Sequence, residues 1–151
     1  MRTFDNLDEL ERKPNQLLGI SPCARIDQAK IDLFAAATGD NQWIHVDPVA
    51  SASGPYGGTI VHGYLALSTI VKLEMLTYEI RGVKVRLNYG LDRLRFMTPL
   101  KVDSEIFAEI HSTKVERTGE NAKLFKDITL YAKGEERPIL KVSNITYLVL
   151  E

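Results

Sequence analysis

Between Gly63 and about Glu79 the chain reads as one long helix that is apolar nearly all the way round. Leu65, Leu67, Ile70, Val71, Leu73, Met75 and Leu76 leave little of its circumference polar. A helix with that pattern has to be buried. The longest apolar segment, around Ile60 to Leu76, is interrupted by His62, Lys72 and Glu74, so it is too broken for a membrane span. The rest of the chain must therefore supply a wrapper around it.

The second half has the period for that task. Val83, Val85, Leu87 and Tyr89 share one face of a strand, and Arg93 to Phe96 forms a further short run. Ile106, Ala108 and Ile110 alternate with Phe107, Glu109 and His111. Leu124, Lys126, Ile128, Leu130 and Ala132 alternate with Phe125, Asp127, Thr129 and Tyr131. Ile139 to Val149 is the last run. Thr118-Gly-Glu-Asn121 and Lys133-Gly-Glu-Glu136 punctuate these runs as hairpin turns. The expected architecture is α+β: a long antiparallel sheet wrapped around one buried helix. With 151 residues and no linker or repeat, it fits a single domain spanning residues 1–151.

Charge and cysteine usage narrow the function classes. The net charge is −1, with 19 basic and 20 acidic residues, which argues against a general nucleic-acid binder, since that needs a basic face to displace phosphate counterions. Cys23 is the single cysteine, which excludes an internal disulfide and a cysteine-rich zinc site. The N-terminus lacks the apolar core of a signal peptide. A reducing, cytoplasmic setting without membrane attachment is the expectation.

The chemistry sits in Phe34-Ala-Ala-Ala-Thr-Gly-Asp-Asn-Gln-Trp-Ile-His45. A helix is expected from Asp27, a capping residue, to Thr38, with Ile31, Phe34, Ala35 and Thr38 on one stripe. Asp40 and His45 follow, five residues apart. On a continuous helix they would point about 140° from each other. They converge only if the backbone leaves the helix first, and Gly39 suits the left-handed position where it would do so. Asp47-Pro48 then reads as a cap and first residue of a short helix through Ala52. Ser53 to Gly58 is a turn-rich loop. A carboxylate and an imidazole on such a pinned loop can share acid and base work.

These residues resemble a known family. The Gly-Asp-x-x-x-x-His element after a helix, the Gly-rich loop, Ile60-Val-His-Gly63 and the apolar helix are similar to the MaoC-like hydratases. Leu94 to Ser104 resembles that family's strand–Pro–strand stretch. The resemblance runs from about Ser21 to Val149. It implies the hot-dog fold and the activity of an (R)-specific enoyl-CoA hydratase, a hydro-lyase acting on trans-2-enoyl thioesters. The family pattern usually has Asn-Pro where this chain has Gln42-Trp43, as in a subgroup that includes nodulation-protein-N-like proteins. The resemblance further implies a homodimer.

On this reading Asp40 and His45 are the catalytic pair, and the backbone N–H of Gly63 is the oxyanion donor at a helix start. Trp43, His62, Tyr64 and Asn88 are secondary candidates for substrate contact. For His62 a structural role, holding the loop, is favoured over lining the pocket. His111 reads as a surface residue. No metal or redox cofactor is needed, since coenzyme A or acyl carrier protein carries the substrate. A metal site from Asp40, His45, Asp47 and His62 has spacing too nonspecific to prefer. Two alternatives stand beside the hydratase: a hot-dog acyl-CoA thioesterase, and a non-catalytic acyl-thioester-binding protein in which Trp43 has reshaped the pocket.

Overall fold

A computed structural model describes residues 1–151. In chain order the elements are β1 (Arg2–Phe4), α1 (Asp8–Arg12), β2 (Gln16–Ile20), β3 (Ala24–Arg25), α2 (Gln28–Thr38), α3 (Trp43–Val46), α4 (Pro48–Ala52), α5 (Gly63–Thr77), β4 (Tyr78–Ile80), β5 (Val83–Phe96), β6 (Glu105–Thr118), β7 (Asn121–Ala132) and β8 (Leu140–Leu150). The main sheet runs β2-β6-β7-β8-β5, all antiparallel, and β3 adds to β6 beyond β2. The fold is the expected α+β hot-dog arrangement, a long antiparallel sheet with α5 packed against it.

The alternating runs act as the period-2 rule requires. Ile106, Ala108 and Ile110 of β6 point inward beside Leu124, Ile128 and Leu130 of β7 and Leu140, Val142 and Leu148 of β8. Ala66, Ile70 and Leu73 of α5 meet them. Fully burying one such aliphatic side chain is worth roughly 1.5–3 kcal/mol, so this shared core holds helix and sheet together.

Two expectations about this core are corrected. First, α5 is not buried all round. It packs over β6 and β2 with one stripe, while Tyr64, Val71, Met75 and Leu76 stay exposed, Met75 by 64%. One sheet can cover only one side of a helix. Second, the two runs Val83–Tyr89 and Arg93–Phe96 are one continuous strand, β5. Register shifts at Val83/Val85, Asn88/Gly90 and Leu91/Arg93 let it follow β8 through the gap between the two runs. As an edge strand it leaves Val85, Leu87, Tyr89 and Leu91 exposed.

The first 25 residues carry more structure than their sequence pattern announced. β1 pairs in parallel with β4, setting Arg2 opposite Tyr78 and Phe4 opposite Ile80. Phe4, Leu7 and Leu10 close that end of the core. β2 runs so close under α5 that a Cβ on Gly19 would lie 2.6 Å from Thr77 Cγ2.

Candidate active site

The site begins with the end of α2. Asp27 caps its start by accepting from the Lys30 N–H at 3.0 Å. Gly39 ends it at φ 81°, donating its N–H to Ala35 O at 2.8 Å. That left-handed residue takes the chain off the helix axis, as its position before Asp40 suggested. Residues 40–42 lie outside any helix or strand, and a single-turn helix, α3, then carries His45. The turn of α3 was not visible in the sequence, which has no capping side chain at Gln42.

Side chains from distant segments fix this hairpin. Gln28 donates to His45 O at 2.8 Å and accepts from the Thr59 hydroxyl at 2.6 Å. The Ile60 N–H donates to Ile44 O at 3.0 Å. Asp47 caps α4 through the Val49 and Ala50 N–H groups, with Pro48 at the first turn. Val61 donates to Leu100 O at 2.7 Å, which ties the approach to α5 onto the Pro99 segment.

Asp40, His45 and His62 come together. One polar atom from each lies within 4.8 Å of the others. His45 is buried, and its Nδ1 sits 2.7 Å from Ile60 O. A carbonyl only accepts, so Nδ1 carries a proton toward Ile60 O, and Nε2 is the ring nitrogen left without a hydrogen-bond partner. His62 is buried too, and its Nε2 donates to Asp40 O at 2.9 Å. The two imidazoles stack with centroids 3.9 Å apart and planes 25° from parallel. His62 Nδ1 is sealed from solvent without a partner.

The Asp40 carboxyl is held below the usual carboxylate range. The largest cause is the Gln42 side-chain amide, which donates to Oδ1 at 3.2 Å; the nearby imidazoles of His62 and His45 act in the same direction, and partial desolvation opposes them. Gln42 is thus a site residue that sequence reasoning passed over. Its signals were its position two residues after the aspartate and its place in the Gln42-Trp43 pair that departs from the family pattern.

His45 and Gly63 face one cleft of about 330 Å³, walled by Phe96, Pro99 and Ile139. As the first residue of α5, Gly63 has no intrahelical acceptor for its N–H, and no loop carbonyl takes it. Glycine is needed here for space: a Cβ would lie 3.1 Å from the Phe96 ring.

The remaining candidates lie elsewhere. Trp43 is 48% exposed and packs over Gly54, at the loop after α4. Tyr64 is 67% exposed, its ring edge-on to Phe96 at 5.8 Å on the outer side of α5. Asn88 belongs to a different groove, between β5 and the later turns of α5. None of the three lines the cleft of His45 and Gly63. His111 is on the outer sheet face, paired with Glu109 at 2.8 Å.

One nitrogen of each imidazole in the cluster is already taken. His45 Nδ1 and His62 Nε2 are committed to backbone carbonyls.

Comparison with known proteins bears on the same residues. A family model described as MaoC like domain matches residues 9–131. The chain belongs to the MaoC-like family. It is 37% identical over 150 residues to 3-hydroxyacyl-thioester dehydratase Z of Mycobacterium tuberculosis, covering 99% of each chain. It is also 37% identical over 146 residues to nodulation protein N of Rhizobium leguminosarum bv. viciae, covering 95% of this chain and 91% of that one. As a MaoC-like protein with such relatives it is a hydro-lyase of the hydratase and dehydratase type. The fold agrees with R-hydratase PhaJ1 from Pseudomonas aeruginosa, at TM-score 0.74 and 19% identity over 92% of this chain and 83% of that one. It agrees equally with the (R)-hydratase of A. caviae, at TM-score 0.71 and 24% identity over 91% and 97%. No helix of this MaoC-like chain is long and apolar enough to cross a membrane.

Proposed function

We propose that this protein reversibly hydrates trans-2-enoyl thioesters to (R)-3-hydroxyacyl thioesters, using Asp40 and His45 as the proton-handling pair. The observation that carries this reading is the state of His45. Its Nδ1 donates to Ile60 O, so Nε2 is the ring nitrogen left to exchange a proton, close to a carboxylate held low. Such a pair can orient one water and remove its proton as oxygen bonds to the β-carbon. The same proton, or its equivalent from the pair, is then delivered to the α-carbon. Between these events negative charge collects on the thioester oxygen. The unclaimed Gly63 N–H, at the positive end of α5, donates a hydrogen bond to that oxygen in this reading, and one such donor is commonly worth about 3 kcal/mol in the transition state. Dehydration runs the same steps backward. The reaction requires no cofactor beyond the coenzyme A or acyl carrier protein that bears the acyl group.

A second copy of the chain completes the proposal. The free edge of β5 and the adjoining apolar face of α5, with Tyr64, Val71 and Met75, form one contiguous exposed surface. An uncovered edge strand of this length is an aggregation hazard, and pairing two copies removes it. The same reading places the working enzyme in the cytoplasm as a homodimer.

The deciding experiment follows the enoyl absorbance of short enoyl-coenzyme A substrates with purified protein. Loss of absorbance with formation of the (R)-hydroxyacyl product supports the assignment. Release of free thiol from saturated acyl-coenzyme A, without hydration, would instead establish a thioesterase. Sedimentation as a monomer at micromolar concentration would remove the dimer.

A further inference from the structure

The α3 turn that carries His45 is a weak element taken alone. It has four residues and no capping side chain at Gln42. A helix this short has little stability of its own, so its shape is set by what grips it. Three of its carbonyls are held from outside. Trp43 O accepts from the Ser51 hydroxyl at 3.0 Å, Ile44 O from the Ile60 N–H at 3.0 Å, and His45 O from the Gln28 amide at 2.8 Å.

Every polar atom of the Gln28 amide is used. Its Nε2 donates to His45 O and to Asp32 Oδ1, both at 2.8 Å, and its Oε1 accepts from the Thr59 hydroxyl at 2.6 Å. The amide can face only one way, because turning it over would set Oε1 against a carbonyl and a carboxylate, neither of which donates. Thr59 is buried, and its segment is fastened to residues 100–102: the Val102 N–H donates to Thr59 O at 3.0 Å and the Val61 N–H to Leu100 O at 2.7 Å. Gln28 therefore joins the start of α2 and this pinned segment to the main chain of His45.

The same segment holds the other end of His45, since Ile60 O accepts from its Nδ1 at 2.7 Å. The ring is tied to residues 59–60 directly, and the backbone carbonyl is tied to them through Gln28. Two attachments fix where Nε2 stands. With the ring bond alone, the short turn can pivot about it.

We propose that Gln28 is a positioning residue for the reaction at His45, working with Thr59 as a clamp that sets the place of Nε2 relative to Asp40 and Gly63. This rests on the hydratase reading for what His45 does, and on the hydrogen-bond geometry for how His45 is held. Gln28 does not line the cleft, so the clamp acts on the placement of the reacting group and not on substrate contact. Misplacement of a reacting group is costly in rate even when it is small.

The first test is kinetic. Gln28→Met keeps the length of the side chain and loses all three bonds. Gln28→Glu keeps an acceptor for Thr59 but turns an oxygen on His45 O and Asp32. Each should lower kcat for enoyl hydration by about tenfold to a hundredfold, with KM changed by less than about twofold. Thr59→Val should lower kcat by a smaller factor, and Thr59→Ser should restore it. Gln28→Met/Thr59→Val should be no slower than Gln28→Met alone, because both remove one clamp. The second test needs no turnover. In the nitrogen NMR spectrum of the histidine side chains, with His45 assigned through His45→Gln, the His45 signals should shift and broaden in Gln28→Met and in Thr59→Val.

An unchanged kcat, a rise in KM in place of the fall in kcat, or additive losses in the double variant overturn the proposal. Unmoved His45 signals overturn it as well. Where Gln28→Met does not fold, Thr59→Val and its serine rescue decide by the same criteria. If wild-type protein hydrates no enoyl thioester, only the reaction falls, and the His45 signals alone decide whether the clamp exists.

Discussion

The imidazole of His62 lies flat on that of His45, centroids 3.9 Å apart, while its Nε2 holds the backbone carbonyl of Asp40. One ring thereby positions both members of the proposed pair: it fixes the plane of His45 and the loop that carries the carboxylate. The structural role favoured for His62 in the sequence takes this form, although the carbonyl it holds belongs to Asp40 and not to the turn before Gly63.

Separating the two functions of His62 gives the first expectation. His62→Phe keeps an aromatic face for His45 and loses the bond to Asp40 O. His62→Ala loses both. Small shifts of a reacting group cost rate steeply, so kcat should fall roughly tenfold in the first variant and more in the second, with KM little changed. A fall in KM and kcat in equal proportion, or no change, would show that His62 does not position the pair.

Removing the pair itself should be more severe. Asp40→Asn and His45→Gln preserve shape and remove the proton-handling atoms. Each should lower kcat by about a hundredfold or more, with a smaller effect on KM. Circular dichroism of both variants should match the wild-type protein, since neither residue belongs to the apolar core. Wild-type rates in both would sink the assignment.

The Gln42 bond sets the acid side of the pH profile. The folded Asp40 carboxyl is held low, first by Gln42, so it stays ionised further into acid than an ordinary aspartate. Activity that needs the carboxylate is therefore present above the lowered value and is lost as pH falls through it. In Gln42→Leu the largest cause is gone, and the acidic limb of kcat/KM should move up toward the ordinary carboxylate range. An unmoved limb would mean that another group controls it.

Much of this site was legible because its determinants are local. Asp27, Gly39 and Asp47-Pro48 act through their own backbone neighbours, and each does what its residue type allows. Gln42 was not legible, because its task depends on the conformation of residues 40–42. The exposure of Val85, Leu87 and Tyr89 was hidden for another reason: alternation reveals that a strand has two faces, not which face is covered. Lys126 is the intermediate case. Its place among Leu124, Ile128 and Leu130 already put it on the apolar face, while its partner Glu74 lies 52 positions away.

The Gly63–Phe96 approach supplies the last expectation. The ring edge lies 3.1 to 3.3 Å from where a Cβ on Gly63 would stand, tighter than ordinary contact. Gly63→Ala must displace either the ring or the start of α5, and the N–H that faces the cleft moves with the helix. A misplaced oxyanion donor should cost about tenfold to a hundredfold in kcat. Phe96→Leu removes ring atoms from that position, so the double variant Gly63→Ala/Phe96→Leu should recover part of the loss. The pair should be non-additive when measured as a double-mutant cycle. Strict additivity would show that the methyl group acts on the site by some route other than the ring.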